Sequence, residues 1–361
     1  MFRVLLCSLV IIALSIIVGC NKDEVSKYEV LDVYNAKSKG SRILGMDISY
    51  NEDGFESSIG LAIEAGTEFI EINLAWNSLE ENLGQYRDPF GEIIVNSAYY
   101  GSRGIDVAFC ISPIDRHMNK TPQFLSQLPL DDSLVMRTFT DMIDWFMLIV
   151  PTNVNIPYVS IGNLPDNYLN DSASWRSYIG FYHYVANHFR ENYPDIVTGV
   201  KTSVLKGVLG ENKYWVDSIN NFSDVVMLSY YPHDDQYRVM EKDIAIVQLK
   251  DICNEFSGRR IFLNDVGYHS GKRYGKSSQE QQAHFYHYLF AAWDSQIEQI
   301  ERMRFTWLHE QNTDTINAWR ELYGSNSAMI EYLSNLGIRE YENEPKCAWL
   351  QIMEELDERN W

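Results

Sequence analysis

The sequence predicts a single α/β domain with a closed (β/α)8, or TIM, barrel over residues 42–361. Eight apolar runs typical of strands alternate with stretches of helical spacing across this region, which is the element count of such a barrel. Apolar residues make up 45% of the chain, enough for a large core. The alternative, an open doubly wound sheet, usually has a glycine-rich phosphate loop after its first strand, and "DISYNEDGF" contains none.

The elements follow one another in a regular order. Short runs rich in aliphatic, β-branched and aromatic residues indicate strands, at residues 42–50, 68–76, 105–113, 156–163, 196–204, 224–232, 259–269 and 303–310. Apolar residues at intervals of three and four indicate helices between them, at residues 56–66, 92–103, 131–149, 172–193, a short stretch after 210, a stretch ending near 256, 277–302 and a last stretch ending at 336. Asp131 or Asp132 is the expected N-cap of the third helix.

Residues 1–19 have the pattern of a secretory signal peptide. Arg3 precedes an apolar run that is too short to span a membrane, and this run ends in "IVGC". The ending resembles the lipobox of bacterial lipoproteins, which implies cleavage before Cys20 and lipidation of its thiol. Residues 20–41 are polar and are expected to tether the barrel to its lipid anchor. We therefore expect an exported lipoprotein of the bacterial cell envelope, at the outer membrane or cell surface.

Charge and composition exclude several classes of function. The formal net charge is −20, and no basic stripe offsets it, so nucleic acid is not an expected partner. Neutral or cationic substrates remain compatible with this charge. The five cysteines form no C-x-x-C pair and no zinc-ligand spacing, and no G-x-S-x-G motif indicates serine hydrolysis. We expect no metal and no cofactor.

The carboxyl ends of barrel strands meet at one face of the molecule, where barrel enzymes place their active sites. The side chains at these ends are mostly amides, carboxylates, imidazoles and aromatic rings: Asp47, Trp76, Asn163, Tyr230, Tyr231, His233, Asn264, Asp265, Trp307, His309 and Glu310. Amides and carboxylates hydrogen-bond hydroxyl groups, and aromatic rings offer flat apolar faces. This combination favours an oligo- or polysaccharide as the ligand.

Five segments resemble the retaining glycoside hydrolases of clan A, which include cellulases, β-galactosidases and endo-galactanases. They occur in the family's order and extend over most of the chain after residue 42: "LAWNSLEENLGQYRDP", "YVSIGNLPDNYL", "DVVMLSYYP", "IFLNDVGYHSG" and "LGIREYENEPKCAWLQI". The resemblance implies a barrel that cleaves glycosidic bonds with two glutamates. One is an acid/base after an asparagine on strand four, and the other is a nucleophile on strand seven.

Both catalytic positions implied by this resemblance are substituted. The acid/base position is Leu164, which cannot transfer a proton, and loss of a positioned general acid typically costs ~10²–10⁴-fold in rate. The nucleophile position is Asp265, whose carboxylate is set back by about 1 Å, a displacement that can cost ~10²-fold. An ordinary retaining mechanism is therefore not expected, and the chain has the features of a pseudoenzyme.

Three carboxylates are alternatives for the missing acid. Asp166 lies two residues after Leu164, but a loop residue or helix cap is the competing interpretation. Glu310 is either an acid or a salt-bridged residue of the rim, and Asp47 ends the first strand. Asp265 itself can instead hydrogen-bond neighbours such as Asn163, Lys201 or Tyr230.

Several binding residues are implied by the resemblance and have structural alternatives. Asn163 corresponds to an amide that binds a sugar hydroxyl, or is a buried structural amide. Trp307 corresponds to a sugar platform, or is a core residue. His233 and His309 belong either to the site or to its rim.

We therefore predict a lipid-anchored protein that binds carbohydrate at the carboxyl face of the barrel, with hydrolysis lost or much reduced. Two alternatives remain open. One is an active glycosidase that uses Asp265 and a relocated acid, and the other is a structural or interaction lipoprotein with a vestigial cleft.

Overall fold

Eight parallel strands close into a barrel in the computed structural model of the protein, which describes residues 34–324 and 326–361. They are β1 (Ile43–Met46), β2 (Phe69–Ala75), β3 (Asp106–Ser112), β4 (Tyr158–Asn163), β5 (Val197–Ser203), β6 (Val226–Tyr230), β7 (Ile261–Val266) and β8 (Ile300–Phe305). Each strand pairs with the next, and β8 pairs with β1, where Gly45 lies opposite Arg304. The predicted (β/α)8 barrel in a single domain is confirmed.

Helices surround the strands as the predicted alternation requires. They are α1 (Phe55–Glu64), α2 (Ser97–Gly101), α3 (Ser133–Ile149), α4 (Ser172–Asn192), α5 (Lys213–Asn220), α6 (Ile244–Glu255), α7 (Gln279–Ser295), α8 (Thr313–Tyr323), α9 (Ser327–Ser334) and α10 (Cys347–Glu358), with a single turn at Trp76–Leu79. Asp132 caps α3, since its carboxylate accepts a hydrogen bond from the backbone N of Leu134 at 2.8 Å.

The predicted boundaries are wrong in two places near the C-terminus. Helix α7 ends at Ser295 and β8 begins at Ile300, whereas the helical spacing extends to residue 302. Ile300 is fully buried and pairs with Ile261 of β7, so strand pairing overrides the local pattern. The last predicted helix is divided into α8 and α9, and α10 follows as a further helix that packs against α7.

The lower half of the barrel interior is apolar. A buried cluster fills it with side chains from five strands and the residue before β6, namely Phe69, Ala108, Tyr158, Val225, Met227 and Phe262. Gly45 is required here, because a Cβ atom at this position would lie 2.6 Å from the Phe69 ring. Because this cluster fills the lower half, polar side chains occupy the upper half of the interior, near the carboxyl ends of the strands.

The chain enters the barrel at the face opposite the carboxyl ends of the strands. Signal residues 1–19 and the lipidation site Cys20 lie outside the described residues, as does the tether up to residue 33. The last tether residues are held against the barrel, because Arg42 donates to the backbone oxygens of Lys37 and Ser38 at 2.7 and 3.0 Å. Lys39 also pairs with Glu68 at 2.6 Å.

A buried ion-pair cluster closes this lower face. Asp294 on α7 lies 2.6 Å from Arg42 Nη1 and 2.7 Å from Arg359 Nη2, and its side chain is 5% exposed. Arg359 also lies 2.6 Å from Glu355 of α10. These contacts join the entry of the chain, α7 and α10.

We predict that Asp294→Ala lowers the free energy of unfolding by about 3–5 kcal/mol, because two buried guanidinium groups lose their shared counterion. Urea denaturation of the full chain measures this loss. Glu81→Ala is the control: it removes the exposed Arg87–Glu81 pair and is expected to cost at most about 1 kcal/mol. Equal costs for the two variants would show that the Asp294 cluster does not hold the lower face together.

Candidate functional site

Four charged side chains meet in the upper half of the barrel interior: Glu71 from β2, Lys201 from β5, Asp265 from β7 and Arg304 from β8. Lys201 Nζ lies 2.6 Å from Glu71 Oε1 and 3.0 Å from Asp265 Oδ2. Arg304 forms an ion pair with Asp265, and its Nη2 lies 3.4 Å from Glu71 Oε1. None of these side chains is more than 8% exposed. We call these four residues the interior network.

A bulge in β7 brings two consecutive polar side chains into this interior. Between Leu263 and Asp265, β7 has one more residue than its neighbour β6. Side chains normally alternate between the faces of a strand, but a bulge turns neighbouring side chains the same way. Asn264 therefore also points inward, and its Nδ2 donates to Glu71 Oε2 and to the Tyr158 hydroxyl, both at 2.8 Å.

Asp265 is held by three partners. Besides its pairs with Lys201 and Arg304, its Oδ2 accepts a hydrogen bond from Ser229 at 2.9 Å. Burial opposes ionisation, but the two neighbouring cations hold the pKa of the Asp265 carboxyl well below its usual range. Asp265 is a stable carboxylate, and each of its oxygens already has a charged partner. The predicted contact with Lys201 is present.

The end of β4 also contains a bulge. The pairing register with β5 shifts between Ser160 and Asn163, and Gly162 there has a φ of 114°, which only glycine adopts at low cost. Asn163 is 3% exposed, and its Nδ2 donates to Asp115 Oδ1 at 2.8 Å. Asn163 therefore lies at the top of β4, hydrogen-bonded to the end of the neighbouring β3 segment.

Leu164 occupies the next position in an unusual conformation. Its φ of 51° lies in the left-handed region, and its backbone N donates to the Lys201 oxygen at 2.8 Å. The side chain is 8% exposed and belongs to neither apolar core cluster. An aliphatic group thus stands beside the interior network where the resemblance implies a proton donor.

Asp166, the nearest alternative acid, is engaged in holding the turn after β4. It is 3% exposed, accepts hydrogen bonds from the backbone N of Ser203 at 3.2 Å, and is also bonded by the Ser203 hydroxyl. Burial raises the pKa of this carboxyl. These contacts fix the Pro165–Asn167 turn to the end of β5.

Glu310 forms a buried ion pair on the β8 side of the mouth. Its Oε1 lies 2.8 Å from Nζ of Lys346, which is fully buried. Burial raises the pKa of Glu310 to about 7 against the effect of Lys346. This pair connects the segment after β8 to the start of α10.

Asp47 is the alternative acid that faces open space. Its side chain is 34% exposed, and its Oδ2 lies 3.5 Å from Arg304 Nη1. Burial among protein groups raises its pKa, although Arg304 opposes this. Asp47 lines a cavity of about 200 Å³ together with Met46, Ile48, Ile70, Glu71, Ile72, Asn73, Glu92, Asn96 and Tyr100. Polar side chains dominate the opening of this cavity.

Aromatic rings lie at the mouth after β6 and after β8, the strand that pairs with β1. Tyr231 and His233 pack against Tyr332 of α9, with ring centroids 6.1 and 4.9 Å apart. Trp307 is half-buried and stacks on Trp319 of α8 at 5.5 Å. Tyr231, His233 and Trp307 thus follow strand ends, where the sequence predicts them, and helices α8 and α9 supply the rings they pack against.

Three of the predicted binding residues lie away from the mouth. Tyr230 is buried in the apolar core, and its hydroxyl donates to Gln248 of α6 at 2.8 Å. Trp76 is also buried, with its Nε1 donating to Glu80 at 2.9 Å. His309 is fully buried behind the strand end. Tyr231, which follows Tyr230, and Asn73, which precedes Trp76 by three residues on β2, face the opening instead.

Residue-by-residue inspection of strand ends does not identify the interior network, because Glu71 and Arg304 lie inside strands. A signal was present for Glu71, which is the one charged residue of "FIEINLA", whereas Arg304 shares "IERMRF" with Glu301 and Arg302. Buried charges of this kind require partners. Tyr332 was missed because it comes from α9 and has no strand-end signal.

The described residues contain no group of three or more histidine, cysteine, aspartate or glutamate side chains placed to hold a metal ion. None of the helices within residues 34–324 and 326–361 is both long and apolar enough to cross a membrane.

We predict that the interior network stabilises the fold as a unit. Lys201→Met should lower the free energy of unfolding by about 3–5 kcal/mol, since Glu71 and Asp265 lose their shared cation. The double variant Lys201→Met/Glu71→Gln should recover part of this loss, giving a coupling energy of about 0.5–3 kcal/mol in urea denaturation. Additive losses, or a single loss below about 1 kcal/mol, would contradict the network.

We also predict that His309 makes the protein less stable in acid. Burial lowers the pKa of His309 to about 4, from an ordinary value near 6.5. The unfolded chain therefore binds a proton that the folded chain excludes, and stability falls as the pH drops from about 6.5 to about 4, by on the order of 3 kcal/mol. His309→Gln should flatten this decline in denaturation curves, and exposed His117→Gln should not. Parallel curves for His309→Gln and the unchanged protein would refute this role.

No protein-family model matches the sequence, and no curated protein matches it in sequence. Solved structures do match the fold. An exo-β-1,4-mannosidase from Opitutaceae bacterium strain TAV5 has a TM-score of 0.69 at 12% identity, covering 92% of this chain and 63% of that chain. The chain thus spans less than two thirds of the length of this mannosidase.

Two further structures have the same architecture. The GH5_18 protein of Streptomyces cattleya in complex with GlcNAc has a TM-score of 0.66 at 12% identity, with 90% of this chain and 81% of that chain covered. A family 39 glycoside hydrolase from the gut symbiont Bacteroides cellulosilyticus has a TM-score of 0.60 at 14% identity, with 90% and 65% covered. The chain therefore has the same (β/α)8 fold as these glycoside hydrolases.

Proposed function

We propose that this chain is a lipid-anchored protein that binds carbohydrate at the mouth of the barrel and has lost hydrolysis. The observation that carries the proposal is the state of the two catalytic positions. Leu164 has no proton to give, and Asp265 is bound on both oxygens by Lys201, Arg304 and Ser229. Attack on an anomeric carbon requires a carboxylate oxygen that is free to form a bond.

The mouth keeps groups suited to a sugar. Asp47, Asn73 and Asn96 line the cavity with carboxylate and amide oxygens, and Tyr100 adds a hydroxyl. The ring of Trp307 follows β8, the neighbour of β1, and is half-buried on its stack with Trp319. A concave site with a few convergent polar groups and an aromatic wall is a typical small-ligand site. Two structures similar in fold are complexes with saccharides, GlcNAc in one and laminaritriose in the other.

The position of chain entry agrees with an anchored binding protein. Residues 37–41 lie against the lower face, where Arg42 and Lys39 hold them. A lipid on Cys20 would attach the barrel by this face. The mouth is at the opposite face and would point away from the membrane.

A second candidate function is a glycosidase in which Asp47 replaces the missing acid. Asp47 and Asp265 both contact Arg304, so they lie close together, and the pKa of Asp47 is raised as a proton donor requires. Against it, Asp265 has no free oxygen for attack. Glu71 also lies near Asp265, but it is fully buried and bound to Lys201.

The experiment is a glycan array with the full chain, followed by product analysis on every ligand that binds. We predict binding without release of shorter products above the buffer background, and an unchanged background in Asp265→Asn and Asp47→Asn. Leu164→Ala is the matched control for the acid position, since it also lacks a proton donor.

Each outcome separates the candidates. Turnover that disappears in Asp265→Asn or Asp47→Asn would overturn the binding function and favour the relocated acid. Absence of binding to every saccharide would overturn both carbohydrate functions and leave an interaction protein with a vestigial cleft. Denaturation curves of each variant confirm that the fold is retained.

A further inference from the structure

Arg116 stands next to the vacated acid position. It is the turn residue of a small hairpin formed by Ile114–Asp115 and Met118–Asn119, which extends β3 over the mouth. Its backbone N donates to the Asn163 oxygen at 2.6 Å, so the turn is fastened to the end of β4 one residue before Leu164. Its φ of 53° lies in the left-handed region, which reverses the chain at this point.

Arg116 lies at the open mouth, since the hairpin that carries it is bonded to the end of β4 and the residue is exposed to solvent. It also interacts electrostatically with Asp265, Tyr231 and Tyr332. Partial desolvation by these surroundings lowers the pKa of Arg116, but Asp115 and these three groups raise it above its ordinary value. Its charge therefore stands near groups on β7, on α9 and after β6.

The guanidinium has no partner of its own among residues 34–324 and 326–361: no side-chain hydrogen bond or ion pair joins it to them. The acid beside it, Asp115, accepts a hydrogen bond from Asn163. The acid below it, Asp265, is already bound by Lys201 and Arg304. Arg116 therefore presents up to five N–H donors in a planar fork to whatever enters the mouth.

A second cation lies on the same rim. Lys206 follows β5, is exposed, and is close enough to His233 to affect its ionisation. The rest of the molecule is acidic, with a net charge of −20. Such a surface repels polyanions, which carry many charges. Salt ions screen this repulsion, so at physiological ionic strength it weakens beyond about 8 Å from the surface. A single anionic group carried by a mostly neutral molecule can still reach the mouth.

We propose that Arg116 is the specificity-determining residue of the glycan site and selects mostly neutral saccharides that carry one anionic substituent, a carboxylate or a sulfate. This inference rests on the proposed carbohydrate binding. The planar guanidinium matches the two oxygens of such a group, and charge-assisted pairs of this kind are the strongest hydrogen bonds in proteins. The sugar ring bearing the anion would lie over Asp265, between Arg116 and the ring of Tyr231.

The test compares matched saccharides on the full chain by calorimetry. One pair is a glucuronic-acid-branched xylo-oligosaccharide and the same compound with its carboxyl group reduced. The other is a monosulfated galacto-oligosaccharide and its desulfated form. We expect the anionic member of at least one pair to bind about 10- to 100-fold more tightly, and this preference to weaken as salt increases. The pair that shows the preference distinguishes carboxylate from sulfate, and a polygalacturonate fragment should bind poorly.

Variants locate the effect. Arg116→Gln should abolish the preference, because it weakens binding of the anionic member far more than that of the neutral member, and Arg116→Lys should keep part of it because the charge remains without the planar fork. Arg260→Gln is the control, since Arg260 is an exposed arginine at the other end of the barrel, paired with Glu301 at 3.3 Å. It should change neither binding nor preference.

The outcomes separate this inference from the proposed function. Equal binding of neutral and anionic members, or a preference that survives in Arg116→Gln, overturns the role of Arg116 and leaves carbohydrate binding intact. Failure of every saccharide to bind overturns both. If Arg116→Gln does not fold, the matched pairs and the salt dependence on the unchanged protein still decide whether an anion is selected.

Discussion

The pairing of Lys201 and Arg304 with Glu71 and Asp265 is the interaction on which the mouth of the barrel depends. Four charges are buried in the upper interior, and each is tolerable only because the others are present. The network joins β2, β5, β7 and β8, so it fixes the spacing of strands around the barrel at the level of the site. The apolar cluster lies beneath this charged layer. The open cavity beside Asp47 borders the layer through Glu71.

The same contacts hold the site in shape with Leu164 and Asp265 at the two positions that the resemblance implies to be catalytic. A carboxylate that forms a covalent bond gives up its negative charge, and for Asp265 this would weaken its pairing with two buried cations. The low pKa of Asp265 reflects this strong stabilisation of the resting carboxylate. Stability and reactivity of Asp265 are thus opposed, and the structure favours stability.

The sequence was sufficient for the fold. Alternating strand and helix patterns identified the barrel because each pattern reports burial directly. The interior network was not identified, because Glu71 and Arg304 lie inside β2 and β8, where an inspection of strand ends does not reach. Tyr230 was assigned to the wrong face: at the end of β6, the residue that faces the opening is Tyr231. Side chains from helices, such as Tyr332, depend on packing that no strand pattern encodes.

The charge of the mouth also differs from that of a retaining glycosidase. A retaining glycosidase stabilises a positively charged, oxocarbenium-like transition state with two carboxylates. Here Leu164 stands at one carboxylate position, Lys201 and Arg304 neutralise Asp265 at the other, and the hairpin beside β4 adds Arg116, which no side chain of the described residues pairs. A site with this distribution does not favour a developing cation over Asp265. Under the proposed function it would favour a ground-state ligand with a negative group at that place, so the proposed loss of hydrolysis and the proposed anion preference have the same electrostatic origin.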